Sequence, residues 1–151
     1  MSDARESDAQ LIDAGGPRFS ATMTSLILAV VLLTESWRLL GAQALLFGLC
    51  AFIGLRLNPW GLVYRRLIRP RLRGRGEQEP VAPVQFSQGV GFVFSVIGVI
   101  GYASGLTALG IVATSLALVA ALLNAVFGLC VGCELYLLIQ RFRAPRPSNL
   151  V

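Results

Sequence analysis

The stretch Asn124-Ala-Val-Phe-Gly-Leu-Cys-Val-Gly-Cys-Glu-Leu-Tyr136 decides how the last third of the chain folds. Apolar residues run almost without interruption from residue 108 to residue 139, and one helix over that range would be roughly 48 Å long. The hydrocarbon core of a bilayer is only about 30 Å thick. A membrane-spanning helix is therefore expected to break within residues 124–128, so that a second helix over residues 129–142 lies at the membrane surface.

The composition of the whole chain is that of a membrane protein. Hydrophobic residues make up 55% of its 151 residues, which is too many for a soluble domain with a polar surface. All 13 basic residues are arginines, and they lie mainly between the apolar segments, which indicates membrane topology and argues against a nucleic-acid partner. The sequence has no histidine and only three cysteines, so a disulfide framework is not expected.

Four apolar segments predict an all-α membrane protein with four transmembrane helices. The predicted spans cover residues 19–36, 39–57, 86–104 and 108–125. After Asn58, a basic amphipathic stretch over residues 60–72 predicts a helix in the headgroup plane. Residues 1–16 are expected to be a mobile tail and residues 144–151 a C-terminal tail, which leaves a membrane domain over residues 17–143.

The two halves of the chain resemble each other in sequence. Pro17-Arg-Phe-Ser20 matches Pro83-Val-Gln-Phe-Ser87, and Asn58 to Gly61 matches Asn124 to Gly128. This similarity predicts two hairpin repeats, each with two spans followed by an interfacial amphipathic helix, and chance similarity is the alternative. Of the 13 arginines, only Arg38 falls in a loop on one side of the predicted spans, and the other twelve lie near the termini or the central loop on the other side, which predicts that both termini are cytoplasmic.

Cys130 and Cys133 have the spacing of a thiol-disulfide exchange motif at the predicted start of a helix. The helix dipole there would stabilise the thiolate that attacks. Nearby cations would act in the same direction, and the candidates are Arg65, Arg66 and Arg69. Glu134 would repel a thiolate unless it accepts a proton or pairs with an arginine. In the alternative interpretation both cysteines are small packing residues in a helix rich in small side chains.

Other residue patterns point to binding or to structure rather than to chemistry. A metal site is not expected, because two thiols without histidine would need Glu134, Cys50 or a second protomer to complete the ligand set. Asn58 and Asn124 are predicted to be structural residues that bridge helices by hydrogen bonds. The side chains predicted to bind anionic lipid or a partner protein are Arg65, Arg66, Arg69 and Arg71.

Three further motifs accompany the 124–136 stretch: Gly16-Pro-Arg-Phe19, Arg69-Pro-Arg71 and Phe86-Ser-Gln-Gly-Val-Gly91. Together they resemble the small bacterial four-span membrane proteins grouped as domain of unknown function 4395, over about residues 12–143. The resemblance implies a bacterial cytoplasmic membrane and work near thioredoxin-like or sulfurtransferase proteins. The chain is more weakly similar to vitamin K epoxide reductase-like proteins, in which a Cys-x-x-Cys lies beside a quinone, although it lacks their second cysteine pair. This similarity makes a membrane quinone a candidate cofactor.

The leading hypothesis is a multi-pass membrane protein that performs thiol redox or sulfur-transfer chemistry. Cys130 would be the nucleophile and Cys133 the resolving thiol, and electrons or sulfur would pass to a soluble cytoplasmic partner or to a quinone. The alternative is a non-catalytic membrane scaffold or assembly factor that binds anionic lipid or a partner protein. A homo-oligomer is compatible with either hypothesis.

Overall fold

The computed structural model describes residues 11–13, 15–71 and 78–143. In chain order the elements are strand β1 (Leu11–Asp13), helix α1 (Gly15–Thr34), helix α2 (Trp37–Phe52), a 3-10 turn (Leu55–Leu57), short helix α3 (Pro59–Val63), a π-helical turn (Tyr64–Ile68), a second 3-10 turn (Arg69–Arg71), strand β2 (Gln78–Pro80), and helices α4 (Val81–Ala103), α5 (Thr107–Phe127) and α6 (Val131–Arg143). The structure is thus helical apart from two short strands. The predicted tail 144–151 and most of the predicted tail 1–16 lie outside the described residues.

Strands β1 and β2 pair in antiparallel fashion, with Leu11 opposite Pro80 and Asp13 opposite Gln78. β1 lies inside the stretch that we expected to be a mobile tail, and this expectation is wrong for Leu11–Asp13. The polar composition of residues 1–16 indicated that their side chains bury little surface. Pairing with a second strand, however, satisfies backbone hydrogen bonds without the burial of side chains. The strand pair places the beginnings of α1 and α4 at the same end of the molecule.

Three helices are long and apolar enough to cross a membrane, and they are α1, α4 and α5. Large apolar side chains point outward from the molecule: Leu33 is 86% exposed, Phe52 74% and Phe127 75%. Such a surface is stable against lipid hydrocarbon, because in water it would be a large exposed apolar patch. The prediction of a helical multi-pass membrane protein is therefore confirmed.

Helix α2 is apolar but has only 16 residues. Our prediction extended this segment over residues 39–57, whereas the α-helix ends at Phe52. Gly54 has a φ of +149°, which an α-helix does not allow, and the chain continues in a 3-10 turn. The basic stretch after Asn58 also differs from the single helix predicted over residues 60–72, since it consists of α3, the π-helical turn and the second 3-10 turn.

Helix α4 is the centre of the packing and contacts α2, α5 and α6, while α1 packs mainly against α5. Helices α1 and α2 contact each other much less, although they are consecutive in the chain. A small core where α1, α2 and α5 meet contains Leu28, Val31, Leu40 and Ala117. The pair α1–α2 is thus less closely packed than the pair α4–α5, and the repeat of two hairpins remains a prediction.

Gly101 of α4 provides a test of this packing. A Cβ atom on Gly101 would lie 2.5 Å from the backbone nitrogen of Gly110 and 2.9 Å from its Cα. We expect Gly101→Ala to lower the free energy of unfolding by about 1–3 kcal/mol, since the backbones of α4 and α5 must separate. Thermal unfolding in detergent micelles measures the change.

The matched control is Gly41→Ala in α2, because a Cβ on Gly41 would meet no atom within 4 Å. This substitution is expected to leave the stability unchanged or to raise it slightly, since alanine has the higher helix propensity. Equal losses of stability in both variants would contradict the close packing of α4 on α5.

Candidate thiol-disulfide site at the start of helix α6

The chain breaks its helical path between α5 and α6 at Gly128. This residue has a φ of +68°, a left-handed conformation in which glycine avoids the steric cost of a side chain. Its backbone N–H donates to the carbonyl of Asn124 at 3.0 Å, and the N–H of Leu129 donates to the carbonyl of Leu123 at 3.2 Å. These bonds end α5 at Phe127, within the long apolar run that would otherwise exceed the bilayer.

Cys130 lies directly before α6 and caps its beginning. The backbone N–H of Cys133 donates to Cys130 Sγ at 3.2 Å, and the N–H of Glu134 donates to the Cys130 carbonyl at 3.0 Å. Cys130 and Cys133 form a disulfide with a Cα–Cα distance of 5.1 Å. When this bond is reduced, the N–H groups and the dipole at the helix start stabilise negative charge on Cys130 Sγ.

Helix α6 approaches α4 closely at Gly132. A Cβ atom on Gly132 would lie 2.6 Å from both the Cα and the Cβ of Ser87, so only glycine allows this contact. Ser87 Oγ lies 3.3 Å from Cys130 Sγ, and its hydroxyl is the donor because a disulfide sulfur carries no proton. One turn further along, the rings of Phe86 and Tyr136 pack at 5.5 Å. The position of Cys130 is thus fixed by the docking of α6 on α4.

Behind Cys130 is a cavity of about 340 Å³. Its walls come from α1, α4, α5 and α6, with Phe47 of α2 at one side. Of the two bonded cysteines, Cys130 lines the cavity and Cys133 does not, and every charged side chain among the described residues lies outside its lining. The polar residues that line it are Ser20, Thr24, Ser87, Gln88 and Asn124.

Arg18 is the basic residue placed beside this site, whereas the sequence pattern favoured arginines of the segment 60–72. The guanidinium carbon of Arg18 lies 3.6 Å from the position that a Cβ atom on Gly128 would take. A cation here adds to the positive potential at the start of α6. The signal in the sequence is the Gly16-Pro-Arg-Phe19 motif, which lies in the first turns of α1.

The remaining predicted residues lie at separate places. The Nδ2 amide of Asn58 donates to Ser20 Oγ at 2.9 Å, and Asn58 Oδ1 accepts the N–H of Trp60 at 3.1 Å, so this buried side chain joins α1 to the start of α3. Asn124 lines the cavity instead of joining helices by a described hydrogen bond. Glu134 is exposed in the first turn of α6.

The basic segment after Asn58 packs against α1. Arg65, Arg66 and Arg71 are exposed there, and Arg69 begins the second 3-10 turn. In the described part of the chain, no hydrogen bond or ion pair joins Arg65, Arg66 or Arg71 to the disulfide. Cys50, by contrast, is a buried free thiol in α2, and no cluster of three potential metal ligands occurs within the described residues.

Comparison with known proteins gave one match. The family model described as a domain of unknown function (DUF4395) matches residues 12–141, which include the disulfide, the cavity and the basic segment. No curated protein and no solved structure matches the chain.

Ser87→Ala tests whether the hydroxyl stabilises the Cys130 thiolate. A hydrogen bond to a charged group contributes about 1.5–3 kcal/mol, so its loss is expected to slow alkylation of Cys130 in the reduced protein roughly tenfold at pH 7. The measurement is the rate of iodoacetamide modification in detergent, followed by mass spectrometry. Ser104→Ala, directly after the other end of α4, is the control and is expected to react as the wild type does, because the Ser104 hydroxyl donates to the Ile100 carbonyl at 2.6 Å.

Proposed function

The chain belongs to the DUF4395 family of domains of unknown function, and we propose that it performs thiol-disulfide exchange in a membrane. The observation that carries this proposal is the position of Cys130 Sγ, which is bonded to Cys133, accepts a backbone N–H at the start of α6 and lines a cavity. A purely structural cysteine pair needs neither the helix N-terminus nor access to a cavity. Exchange chemistry uses the helix N-terminus, because the reacting species is the thiolate.

In the reduced protein, the Cys130 thiolate attacks one sulfur of a partner's disulfide. A mixed disulfide forms and the partner's other sulfur leaves as a thiolate. Cys133 then loses its proton, for which Glu134 is the proposed acceptor, and attacks Cys130 Sγ. The Cys130–Cys133 disulfide forms, and the partner leaves as a dithiol after protonation. Sulfur transfer is the related reaction, in which Cys130 takes the outer sulfur of a partner's persulfide and releases the partner's thiolate.

We place the site at the cytoplasmic face of a bacterial cytoplasmic membrane, with both termini in the cytoplasm. The distribution of arginines supports this orientation. In this arrangement α2 is a fourth span, which is about 24 Å long by its 16 residues and continues into the turn Leu55–Leu57. A thioredoxin-like or sulfurtransferase protein is then the proposed soluble partner of the disulfide.

A second candidate function is that of a non-catalytic scaffold that binds anionic lipid. The observation that favours it is the surface after Asn58, where Arg65, Arg66 and Arg71 are exposed beside exposed apolar side chains. The exposed apolar residues there are Leu62, Val63 and Leu67. Such a surface suits the headgroup region, with its apolar side chains in hydrocarbon and its guanidinium groups on phosphates.

The two functions are separated by the double variant Cys130→Ser, Cys133→Ser. If exchange is the function, the variant loses the cellular phenotype of the wild type. In the wild type, quantitative thiol trapping in native membranes then shows a reversible disulfide between Cys130 and Cys133. Cys50→Ser is the matched control, and we expect it to keep the phenotype because Cys50 is buried in α2 and 2% exposed. A double variant that behaves as the wild type would leave the scaffold as the function.

The lipid-binding surface has its own test in a Trp37→Phe background, where Trp60 reports on nearby lipid. Brominated phosphatidylglycerol is expected to quench Trp60 more strongly than brominated phosphatidylcholine in reconstituted vesicles. Arg65→Gln with Arg66→Gln should reduce that preference about fivefold or more, since each arginine contributes roughly 1 kcal/mol at an anionic surface. Arg38→Gln is the control, because Arg38 lies next to Trp37 at the opposite end of the bundle. Equal quenching by both lipids would contradict an anionic-lipid site.

A further inference from the structure

The cavity behind Cys130 indicates what accepts the electrons of the cysteine pair. We propose that it binds a membrane quinone, which oxidises the reduced Cys130–Cys133 pair from inside the bundle. This proposal rests on the proposed exchange function and adds the class of its small-molecule substrate. It depends on three properties of the cavity: its size and opening, its lining, and the identity of the sulfur that it exposes.

The size and opening of the cavity suit the head of a small lipid-soluble molecule. Its volume of about 340 Å³ lies at the lower end of the roughly 300–1,000 Å³ of small-molecule sites. Leu116 and Val119 of α5 line it, yet they are 52% and 55% exposed. The cavity therefore opens onto the apolar outer surface of the bundle, where hydrocarbon surrounds the protein. A ligand can enter from the bilayer and leave its tail there.

The lining of the cavity selects an uncharged ligand. None of its described residues is charged, so the phosphates of a nicotinamide nucleotide or the carboxylates of glutathione would lose their hydration without gaining a partner. A quinone carries no charge and exchanges two electrons and two protons, as a dithiol does. Among small redox molecules, this combination of charge and stoichiometry fits both the cavity and the disulfide.

Hydrogen-bond donors are available for the two carbonyl oxygens of a quinone. Ser20 and Thr24 line the cavity on α1 and are only 5% and 4% exposed. Ser20 Oγ accepts its bond from Asn58 at 2.9 Å, which leaves the Ser20 hydroxyl proton free to donate. The side-chain amides of Gln88 and Asn124 lie on the opposing helices α4 and α5. Polar groups on several walls of an apolar cavity are the usual arrangement in a ligand site.

The sulfur that meets the cavity is that of Cys130, and Cys133 lies outside the lining, although both residues are partly exposed. A partner's dithiol reduces the disulfide by the reverse of the proposed exchange. Its thiolate attacks Cys130 Sγ and forms a mixed disulfide, and Cys133 leaves as a thiolate that takes up a proton. The partner's second thiolate then attacks its own sulfur in the mixed disulfide, which closes the partner's disulfide and frees Cys130 as a thiolate. The Cys133 N–H and the Ser87 hydroxyl stabilise this thiolate, which then meets the quinone in the cavity.

The quinone returns the pair to the disulfide. Two electrons pass from the Cys130 and Cys133 sulfurs to the quinone as the sulfur–sulfur bond forms, and two protons from the thiols end on the quinone oxygens. The products are one disulfide and one hydroquinone for each dithiol and quinone consumed. The partner's dithiol thus supplies the electrons, and the membrane pool of quinone removes them.

The experiment uses the full chain, reduced, freed of reductant and kept in detergent without oxygen. A short-chain ubiquinone is added, and its reduction is followed by the loss of its ultraviolet absorbance. In parallel, the same protein is mixed with 4,4′-dipyridyl disulfide, which tests thiol exchange in the absence of quinone. We expect one equivalent of hydroquinone per protein, with Cys130 and Cys133 recovered as the disulfide.

Two cavity variants and one control define the site. Ala120→Phe fills the cavity that Ala120 lines and is expected to slow quinone reduction at least tenfold, with dipyridyl disulfide exchange unchanged. Thr24→Val keeps nearly the same shape and is expected to raise the quinone concentration for half-maximal rate about fivefold. Ala108→Phe, at an exposed position of α5 outside the lining, is expected to reduce quinone as the wild type does. Thermal unfolding shows which variants are folded.

The outcomes distinguish the quinone from the exchange function. If dipyridyl disulfide reacts with the pair but quinone is not reduced, the quinone proposal is overturned and the exchange function stands. The same conclusion holds if Ala120→Phe and Thr24→Val, both folded, reduce quinone as fast as the wild type. If neither reagent reacts with the pair, both proposals fail.

Discussion

Helix α4 approaches its neighbours so closely at Gly101 and Gly132 that no larger side chain fits at either contact. In lipid, helices gain little from hiding apolar surface, so close contact between backbones provides much of the attraction between them. Gly101 meets the backbone of Gly110 in α5, and Gly132 of α6 meets Ser87 in α4. The first contact fixes the start of α5 on α4, and the second fixes the start of α6 on α4. The Gly132 contact directly follows the turn that carries Cys130 and holds that turn against α4.

The cavity results from the same packing. Because α1 packs against α5 and α2 packs against α4, the consecutive helices α1 and α2 do not fill the space between them. Small residues of α4 and α5 border this space, and the buried hydroxyls of Ser20 and Thr24 face it. The hydrogen bond that the Asn58 amide donates to Ser20 Oγ fixes the position of the Ser20 hydroxyl. The sulfur of Cys130 thus lies at the edge of a cavity without any charged group in its described lining.

The sequence predicted the membrane class and the family, and it singled out Cys130 and Cys133, because each of these depends on local composition or on short motifs. The length of the apolar run also required a break near Gly128. The sequence did not predict the β1–β2 pair, the end of α2 at Phe52 or the position of Arg18 beside the disulfide. Those features depend on which helices touch, and glycines and alanines spread over four apolar segments do not specify their partners. The cavity could not be predicted for the same reason, since its walls come from residues far apart in the chain.

The packing of α1 and α2 has a consequence for the biogenesis of the protein. The chain is synthesised from its N-terminus, so α1 and α2 form before α4 and α5 exist. Their main contacts are with those later helices, and Gln43 of α2, only 3% exposed in the finished bundle, is not covered until they arrive. The first half of the nascent chain is therefore at first a loosely associated pair. Cellular quality control can act on it until translation of the second half is complete.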